Sequence, residues 1–261
     1  MKKIVVITGA SSGIGEKTGL LFKEKGFEVI NISLTNSPHF KTYIADISDK
    51  NALIGVFNEI KEIYNKIDIL INNAGYGMSG ITELLDQQPC KKMFDVNFFG
   101  LLSVTQLSLP LMSKGGKIIN ISSAMALFPV PFRSMYGASK SAVLSLSYTL
   151  RMELKPCEID VCAICPGNVR SNFTKNRVKN FETNLRYGHR IETATNKIDK
   201  NDSKRMGPEK VAKTIFIQAT KKKSKPMKIV GGKYKLLYFL TQITPKSWLL
   251  SLTERFMGGR K

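Results

Sequence analysis

The sequence predicts an α/β fold: a doubly wound parallel β-sheet with helices on both faces, in a single domain. Three observations lead there. Short β-branched runs alternate with helical stretches of about 10–15 residues, the rhythm of βαβ units whose sheet is covered on both sides. The 261 residues suit one α/β unit with one core. A content of 43% hydrophobic and 23% charged residues is that of a globular chain.

Lys3–Thr8 is an apolar, β-branched run ended by glycine, which reads as a buried strand. A helix is expected from near Ser12, where Ile14, Leu20, Leu21 and Phe22 form one apolar face. Further strands are expected at Phe27–Ile32, Lys41–Ala45, Ile67–Asn72, Lys117–Ser122, Ile159–Cys165 and Met227–Val230, and helices at Lys50–Tyr64, Cys90–Leu109, Ser139–Leu154 and Pro208–Thr220. The stretch 170–206 is polar and aperiodic, which predicts a long loop or lid over a substrate. Residues 1–232 are taken as the domain proper and 233–261 as a C-terminal extension.

The opening MKKIVVITGA has the basic start of a secretory leader but an apolar run of only Ile4–Ile7, too short for one. No run of about 18 apolar residues occurs, so no spanning helix is expected and the reading is cytoplasmic. Cys162 and Cys165 read C-x-x-C, yet on a strand residues three apart face opposite ways, so core cysteines and no metal site are expected. His39 and His189 are read as surface residues. The formal net charge is +20, and residues 170–261 hold 23 Lys+Arg against 6 Asp+Glu. Such asymmetry fits acidic ligands, an anionic membrane or nucleic acid without choosing among them.

Thr8-Gly9-Ala10-Ser11-Ser12-Gly13-Ile14-Gly15 lies between the first strand and the first helix. Glycines there permit a tight turn, close approach of backbone to a diphosphate and close helix packing, while the helix N-terminus offers N–H groups and partial positive charge. The spacing T-G-x-x-x-G-x-G, followed in order by Asp46 in Ala45-Asp46-Ile47, Asn72-Asn73-Ala74-Gly75, Asn97 in Val96-Asn97-Phe98, Ile119-Asn120-Ile121-Ser122-Ser123, Tyr136-Gly137-Ala138-Ser139-Lys140 and Pro166-Gly167, resembles the short, single-domain branch of the short-chain dehydrogenase/reductase family.

The resemblance implies a Rossmann-like fold and an NAD(P)-dependent oxidoreductase that moves a hydride between the dinucleotide and a ketone, aldehyde or secondary alcohol. It implies cofactor contacts at Thr8, Gly9, Ser11, Ser12, Gly13, Ile14, Gly15, Ser33, Asp46, Ile47, Asn73, Ala74, Gly75, Tyr136, Lys140, Pro166, Gly167, Val169 and Ser171. It implies a catalytic set of Asn97, Ser123, Tyr136 and Lys140. Tyr136 would be the general acid and base, Ser123 would orient the substrate oxygen, Lys140 would bind the ribose, and Asn97 would hold a water leading to Lys140. Bringing a phenol from about pH 10 to neutrality requires about 4 kcal/mol, which one cation at about 4 Å supplies at an effective dielectric of 20. Lys140, one helical turn after Tyr136, is the expected cation. The glycine frequent after the active serine is replaced by Ala124-Met125-Ala126, a change that touches pocket shape.

At the end of the second strand, where an acidic residue would hold a ribose 2′-hydroxyl, stand Ser33-Leu34-Thr35. With no carboxylate to repel a 2′-phosphate, NADP is the expected cofactor and NAD the alternative. Residues 221–261 hold 11 basic side chains and one acid, interleaved with Tyr234, Leu236, Leu237, Phe239, Trp248 and Leu249. Such a segment can lie on an anionic membrane surface or can cover the substrate pocket or a subunit contact. A lipophilic, steroid-, retinoid- or lipid-like substrate and a homo-oligomer, dimer or tetramer, are expected. A non-catalytic module binding nucleic acid or membrane through the basic third is the alternative. The intact Ser-Tyr-Lys set disfavours it, and the glycine spacing disfavours a sugar-nucleotide epimerase.

Overall fold

The computed structural model describes residues 2–170, 173, 177–199 and 205–257. Its centre is a seven-stranded, wholly parallel sheet. The strands are β1 (Ile4–Thr8), β2 (Glu28–Ser33), β3 (Lys41–Ile44), β4 (Ile69–Asn72), β6 (Lys117–Ile121), β7 (Asp160–Pro166) and β9 (Met227–Val230). Two further short strands, β5 (Met78–Ser79) and β8 (Val178–Lys179), pair with each other outside it. The main order is β3-β2-β1-β4-β6-β7-β9, so the chain reverses direction across the sheet between β1 and β4. In such sheets ligands bind beyond the carboxyl ends of the strands at that reversal.

Every residue of β1, β4 and β6 is buried, because helices cover both faces. On one face α1 (Gly13–Glu24) and α7 (Pro208–Thr220) pack Phe22, Val211 and Ile215 against Val5, Ile7, Ile71 and Ile119. On the other, α2 (Lys50–Tyr64), α4 (Leu101–Ser108) and α5 (Ser134–Glu153) bring Leu53, Val104 and Leu150 against Val6, Ile30, Leu70 and Ile118. Asp49 caps α2 by accepting from the backbone N–H groups of Asn51 and Ala52 at 2.9 and 3.1 Å. Cys162 and Cys165 lie in the cores of different faces, as their spacing on a strand requires, and both thiols are free.

The expected elements are present, with three differences. The stretch Cys90–Leu109 is α3 (Gln87–Phe94), a π-helical segment Asp95–Gly100 and α4, not one regular helix. The helix expected from Ser139 begins at Ser134, and its opening turn carries Tyr136. The polar stretch expected to be a loop contains β8 and α6 (Arg190–Asp199), whose anchors Ile191 and Ala194 are buried. Beyond β9, the chain forms α8 (Gly232–Ile243) and α9 (Lys246–Met257).

Candidate active site

The glycine turn after β1 is held from three sides. Gly9 N donates to Ile32 O at 2.8 Å, and Ala10 N donates to the buried Asn31 Oδ1 at 2.8 Å. Asn73 Nδ2 donates to Thr8 O and Gly9 O at 3.0 and 3.1 Å, while Thr8 Oγ1 accepts from the backbone N–H groups of Asn73 and Ala74. Gly9 and Gly13 have φ of 70° and 58°, in the left-handed region that favours glycine. A Cβ on Gly15 would strike the Gly9 carbonyl oxygen, so α1 approaches the turn closely only because this position is bare. The result is a backbone cradle at a helix N-terminus, the form that receives a diphosphate.

A cleft of about 540 Å³ runs from this cradle across the ends of β1, β4 and β6. It gathers Gly9, Ser11, Ser12, Gly13 and Ile14 with Ser33, Asp46, Ile47, Asn73, Ala74 and Gly75, and then Ser123, Tyr136, Lys140, Pro166, Gly167 and Val169. Of the residues expected to bind cofactor, Thr8 and Gly15 stand behind this wall, and Ser171 lies outside the described residues. At the cleft end near Ser33, Ser11 Oγ lies 3.0 Å from Ser33 Oγ and accepts from Thr35 Oγ1 at 2.8 Å. Asp46 Oδ1 accepts from Ser48 N and Ser48 Oγ, which fixes the carboxylate where it lines the cleft.

Tyr136 is buried on the opening turn of α5, its ring 5.7 Å from that of Phe173, and it lines the same cleft as Ser123. Ser123 Oγ accepts from Met125 N at 3.1 Å, which orients it. Ser122 Oγ donates to Lys140 O at 2.7 Å. Asn97, wholly buried in the π-helical segment, accepts from Tyr76 N at 3.0 Å and donates to Tyr76 O at 2.9 Å and Ser139 Oγ at 3.3 Å. A Cβ on Gly75 would lie 2.6 Å from Asn97 Oδ1, so that glycine lets the two elements meet above Lys140.

The electrostatics depart from expectation. The sequence predicts that Lys140 lowers the phenol's pKa, whereas burial pushes Tyr136 up to about 12, since a phenolate loses more than a phenol on leaving water. The opposing pull comes from the Ser123 side chain and the guanidinium charges of Arg177 and Arg133. Lys140 shares the α5 face with Tyr136, but its Nζ donates to Ile121 O at 2.9 Å, and burial pushes it down to about 8. The neutral amine is therefore favoured on folding. This stability is complete above the free lysine value and is lost as pH falls through about 8, so the wild type carries a charge-burial cost at pH 7. Lys140→Met is expected to raise the melting temperature at pH 7, by the equivalent of about 1–4 kcal/mol, while lowering turnover. Scanning calorimetry at pH 7 checks it, and an unchanged or lower melting temperature contradicts it.

The cleft is also lined by Tyr76, Lys92, Arg133, Phe173, Arg177 and Arg205, none of them in the expected set, and two residues behind it support its turns. Asn31 tethers the glycine turn, and its isolated position in an apolar strand is the only sequence signal of it. Tyr234 of α8 accepts from Asn168 N at 3.1 Å, and a Cβ on Gly167 would enter its ring, so the start of the C-terminal extension backs the turn after β7.

The family model for short chain dehydrogenases matches residues 3–182. The chain is 37% identical to a probable short-chain type dehydrogenase/reductase, VdlC, of Helicobacter pylori, covering 99% of each. It is 32% identical to a 3-ketodihydrosphingosine reductase of Bacteroides thetaiotaomicron, covering 95% of this chain and 93% of that one. A short-chain dehydrogenase from Streptomyces avermitilis has the same fold over 100% of both chains, with a TM-score of 0.83 at 23% identity. The backbone cradle at the sheet's reversal point and these likenesses agree: the chain belongs to the short-chain dehydrogenase/reductase family and is an NAD(P)-dependent oxidoreductase.

Proposed function

We propose that the chain is an NADP(H)-linked reductase of lipophilic ketones or aldehydes, reversible on the matching secondary alcohols, with Tyr136 as general acid and base. The observation that carries the reading is the buried Tyr136, which lines one cleft together with Ser123, Lys140 and the glycine cradle. The glycine cradle fits a dinucleotide, which when bound supplies or accepts the hydride. Ser123 donates to the substrate oxygen, and the phenol, protonated at neutral pH, gives its proton to that oxygen as charge develops on it. Lys140 holds the ribose hydroxyls, and Asn97 fixes the Tyr76 backbone and a water path toward Lys140. Gly9, Ser11, Ser12, Gly13 and Ile14, backed by Thr8 and Gly15, would hold the diphosphate, and Pro166, Gly167 and Val169 would lie toward the nicotinamide; Ser171, also expected there, lies outside the described residues. Residues 1–232 act as the catalytic domain and 170–206 as its substrate lid.

NADP is favoured over NAD by the linked hydroxyls of Ser33, Ser11 and Thr35, which offer donors to a 2′-phosphate with no carboxylate among them. Thermal stabilisation by NADPH and NADH at equal concentration tests this: NADPH is expected to give the larger shift, and Ser33→Asp to reverse the order. A larger shift with NADH in the wild type defeats the NADP assignment.

The relative named a 3-ketodihydrosphingosine reductase supports a lipophilic substrate. So does the surface of α8 and α9, where Phe239 is 61% and Trp248 73% exposed beside Leu236, Leu240 and Ile243, with Lys233, Lys235 and Lys246 near them. Among the described residues no helix is long and apolar enough to cross a membrane. This surface is read as lying on an anionic bilayer, peripherally. Sedimentation with phosphatidylserine-containing vesicles is expected to carry the protein down, and Trp248→Ser with Phe239→Ser to release it; equal sedimentation of wild type and variant contradicts the contact. Exposed Phe99, Tyr148 and Met152 support self-association into a dimer or tetramer.

A further inference from the structure

Beyond the carboxyl end of β7, Gly167, Asn168 and Val169 line the cleft together with Pro166, and the backbone of this turn is anchored at several points. Gly167 N donates to Val230 O, at the end of β9, at 3.1 Å. Asn168 O accepts from Met206 N at 3.3 Å, and Arg170 N donates to Met206 O at 2.9 Å. Asn168 N donates to the phenolic oxygen of Tyr234, on the first turn of α8, at 3.1 Å. Of these four bonds it alone is made to a side chain, and it alone reaches the C-terminal extension. A trans peptide sets its N–H and C=O on opposite sides, so this bond fixes which way the Gly167–Asn168 peptide plane faces.

The chain makes room for the Tyr234 ring at two bare positions. A Cβ on Gly167 would enter the ring, so the aromatic face lies against the backbone of the turn. Gly231, which carries the chain from β9 into α8, has φ of 113°, and a Cβ there would lie 3.0 Å from Tyr234 Cδ2 and 3.1 Å from Met206 Cε. Tyr234 and Tyr238, one helical turn apart, pack on Leu144, Ala163, Cys165 and Ile229. These contacts are made by the rings, so α8 is seated without help from the Tyr234 hydroxyl. Tyr234 stands behind the cleft wall and not in it.

We infer that Tyr234 is a positioning residue for hydride transfer: from α8, its hydroxyl holds the Gly167–Asn168 peptide in the orientation that the nicotinamide end of the dinucleotide meets. This rests on the reading that the nicotinamide lies toward Pro166, Gly167 and Val169. The first turn of the C-terminal extension then belongs to the working site, although it touches neither substrate nor cofactor. Losing one such hydrogen bond weakens binding by about 3–10-fold. A displacement of about 1 Å between reacting partners can cost about 10²-fold in rate, so turnover is the more sensitive of the two.

The test uses the full chain, its Tyr234→Phe variant and two ligands, NADPH and 2′-phospho-ADP-ribose, the same dinucleotide without its nicotinamide. Isothermal titration gives both dissociation constants. In Tyr234→Phe the constant for NADPH is expected to rise about 3–10-fold, and that for the truncated ligand to stay within about 2-fold. For a medium-chain ketone, kcat is expected to fall about 10-fold with little change in KM. The primary isotope effect from NADPH deuterated at the transferring position is expected to grow, as hydride transfer becomes the slow step. Gly167→Ala, whose added carbon displaces the ring, is expected to cause the same selective loss. Tyr238→Phe, one turn along the same helix, is expected to leave both constants at wild-type values. Equal weakening of both ligands in Tyr234→Phe, the mark of a merely structural role, or no change in either, overturns the inference and leaves the reductase assignment intact. Selective loss of NADPH binding in the variant, with no ketone turned over by the wild type, supports the positioning role and defeats the reductase assignment. Binding of neither ligand to the wild type defeats both. Where NADH binds the wild type more tightly than NADPH, NADH and ADP-ribose form the pair and the same outcomes decide.

Discussion

Tyr136→Phe is expected to lower kcat for ketone reduction by about 10³-fold while leaving the thermal shift given by NADPH nearly unchanged. A positioned general acid contributes about 10²–10⁴-fold, and here the Tyr136 phenol lines the cleft with Ser123. The substitution keeps the ring, so the packing of residue 136 with Met78, Met93 and Phe173 survives. What it removes is the phenolic oxygen in the cleft with Ser123, and Lys140 Nζ, engaged with Ile121 O, does not replace it. A fall in kcat with little change in KM separates this effect from lost substrate binding. Steady-state oxidation of NADPH, followed by absorbance with the variant and the wild type, measures it.

Gly15→Ala is expected to abolish dinucleotide binding, with a loss of at least about 100-fold in affinity. The added carbon would meet the Gly9 carbonyl oxygen and lie 2.6 Å from Asn73 Nδ2 and 2.9 Å from Ala10 Cα. Neither backbone group can swing aside, because Gly9 is tied to Ile32 and Ala10 to Asn31. Relief therefore means moving α1 away from the turn, which opens the diphosphate cradle and shifts the N–H groups it depends on. Loss of that cradle by about 1 Å costs more binding than loss of one hydrogen bond. Isothermal titration with NADPH reads the effect directly, and circular dichroism of the variant confirms that the sheet persists. Binding within a few-fold of the wild type would contradict the geometry.

The parallel sheet was legible because its strands are buried on both faces and so appear as unbroken β-branched runs, as in IVVIT and KIINI. The amphipathic helices were legible for the complementary reason, a single apolar stripe. Where the sequence misled, local signal was weak. The opening turn of α5, Ser134-Met135-Tyr136-Gly137, has a glycine and little apolar period, so the sequence predicts a start at Ser139. The π-helical turn at Asp95–Gly100 adds a residue to one turn without any change in composition. Among the described side chains of α6, the buried apolar anchors are Ile191 and Ala194.

At the site, the cleft-lining positions followed from the order of motifs along the chain, and the structure gathers them in one cleft. The charges could not be read in the same way. The direction of the Tyr136 shift depends on burial, which a one-turn spacing from Lys140 does not reveal, and it is opposed by Arg133, just before α5, and by Arg177, which precedes β8. The same holds for Tyr234, whose contact with the turn after β7 joins residues far apart in the chain.

The central claim is that this protein moves a hydride from a nicotinamide to a carbonyl carbon with the proton supplied by residue 136. Single-turnover reduction with NADPH deuterated at the transferring position, analysed by mass spectrometry of the product, tests it most directly. The account predicts one deuterium on the carbinol carbon of the alcohol in the wild type. It predicts almost none formed over the same interval by Tyr136→Phe, with NADPH still bound. An alcohol without deuterium, or equal deuterium transfer by the variant, would contradict it.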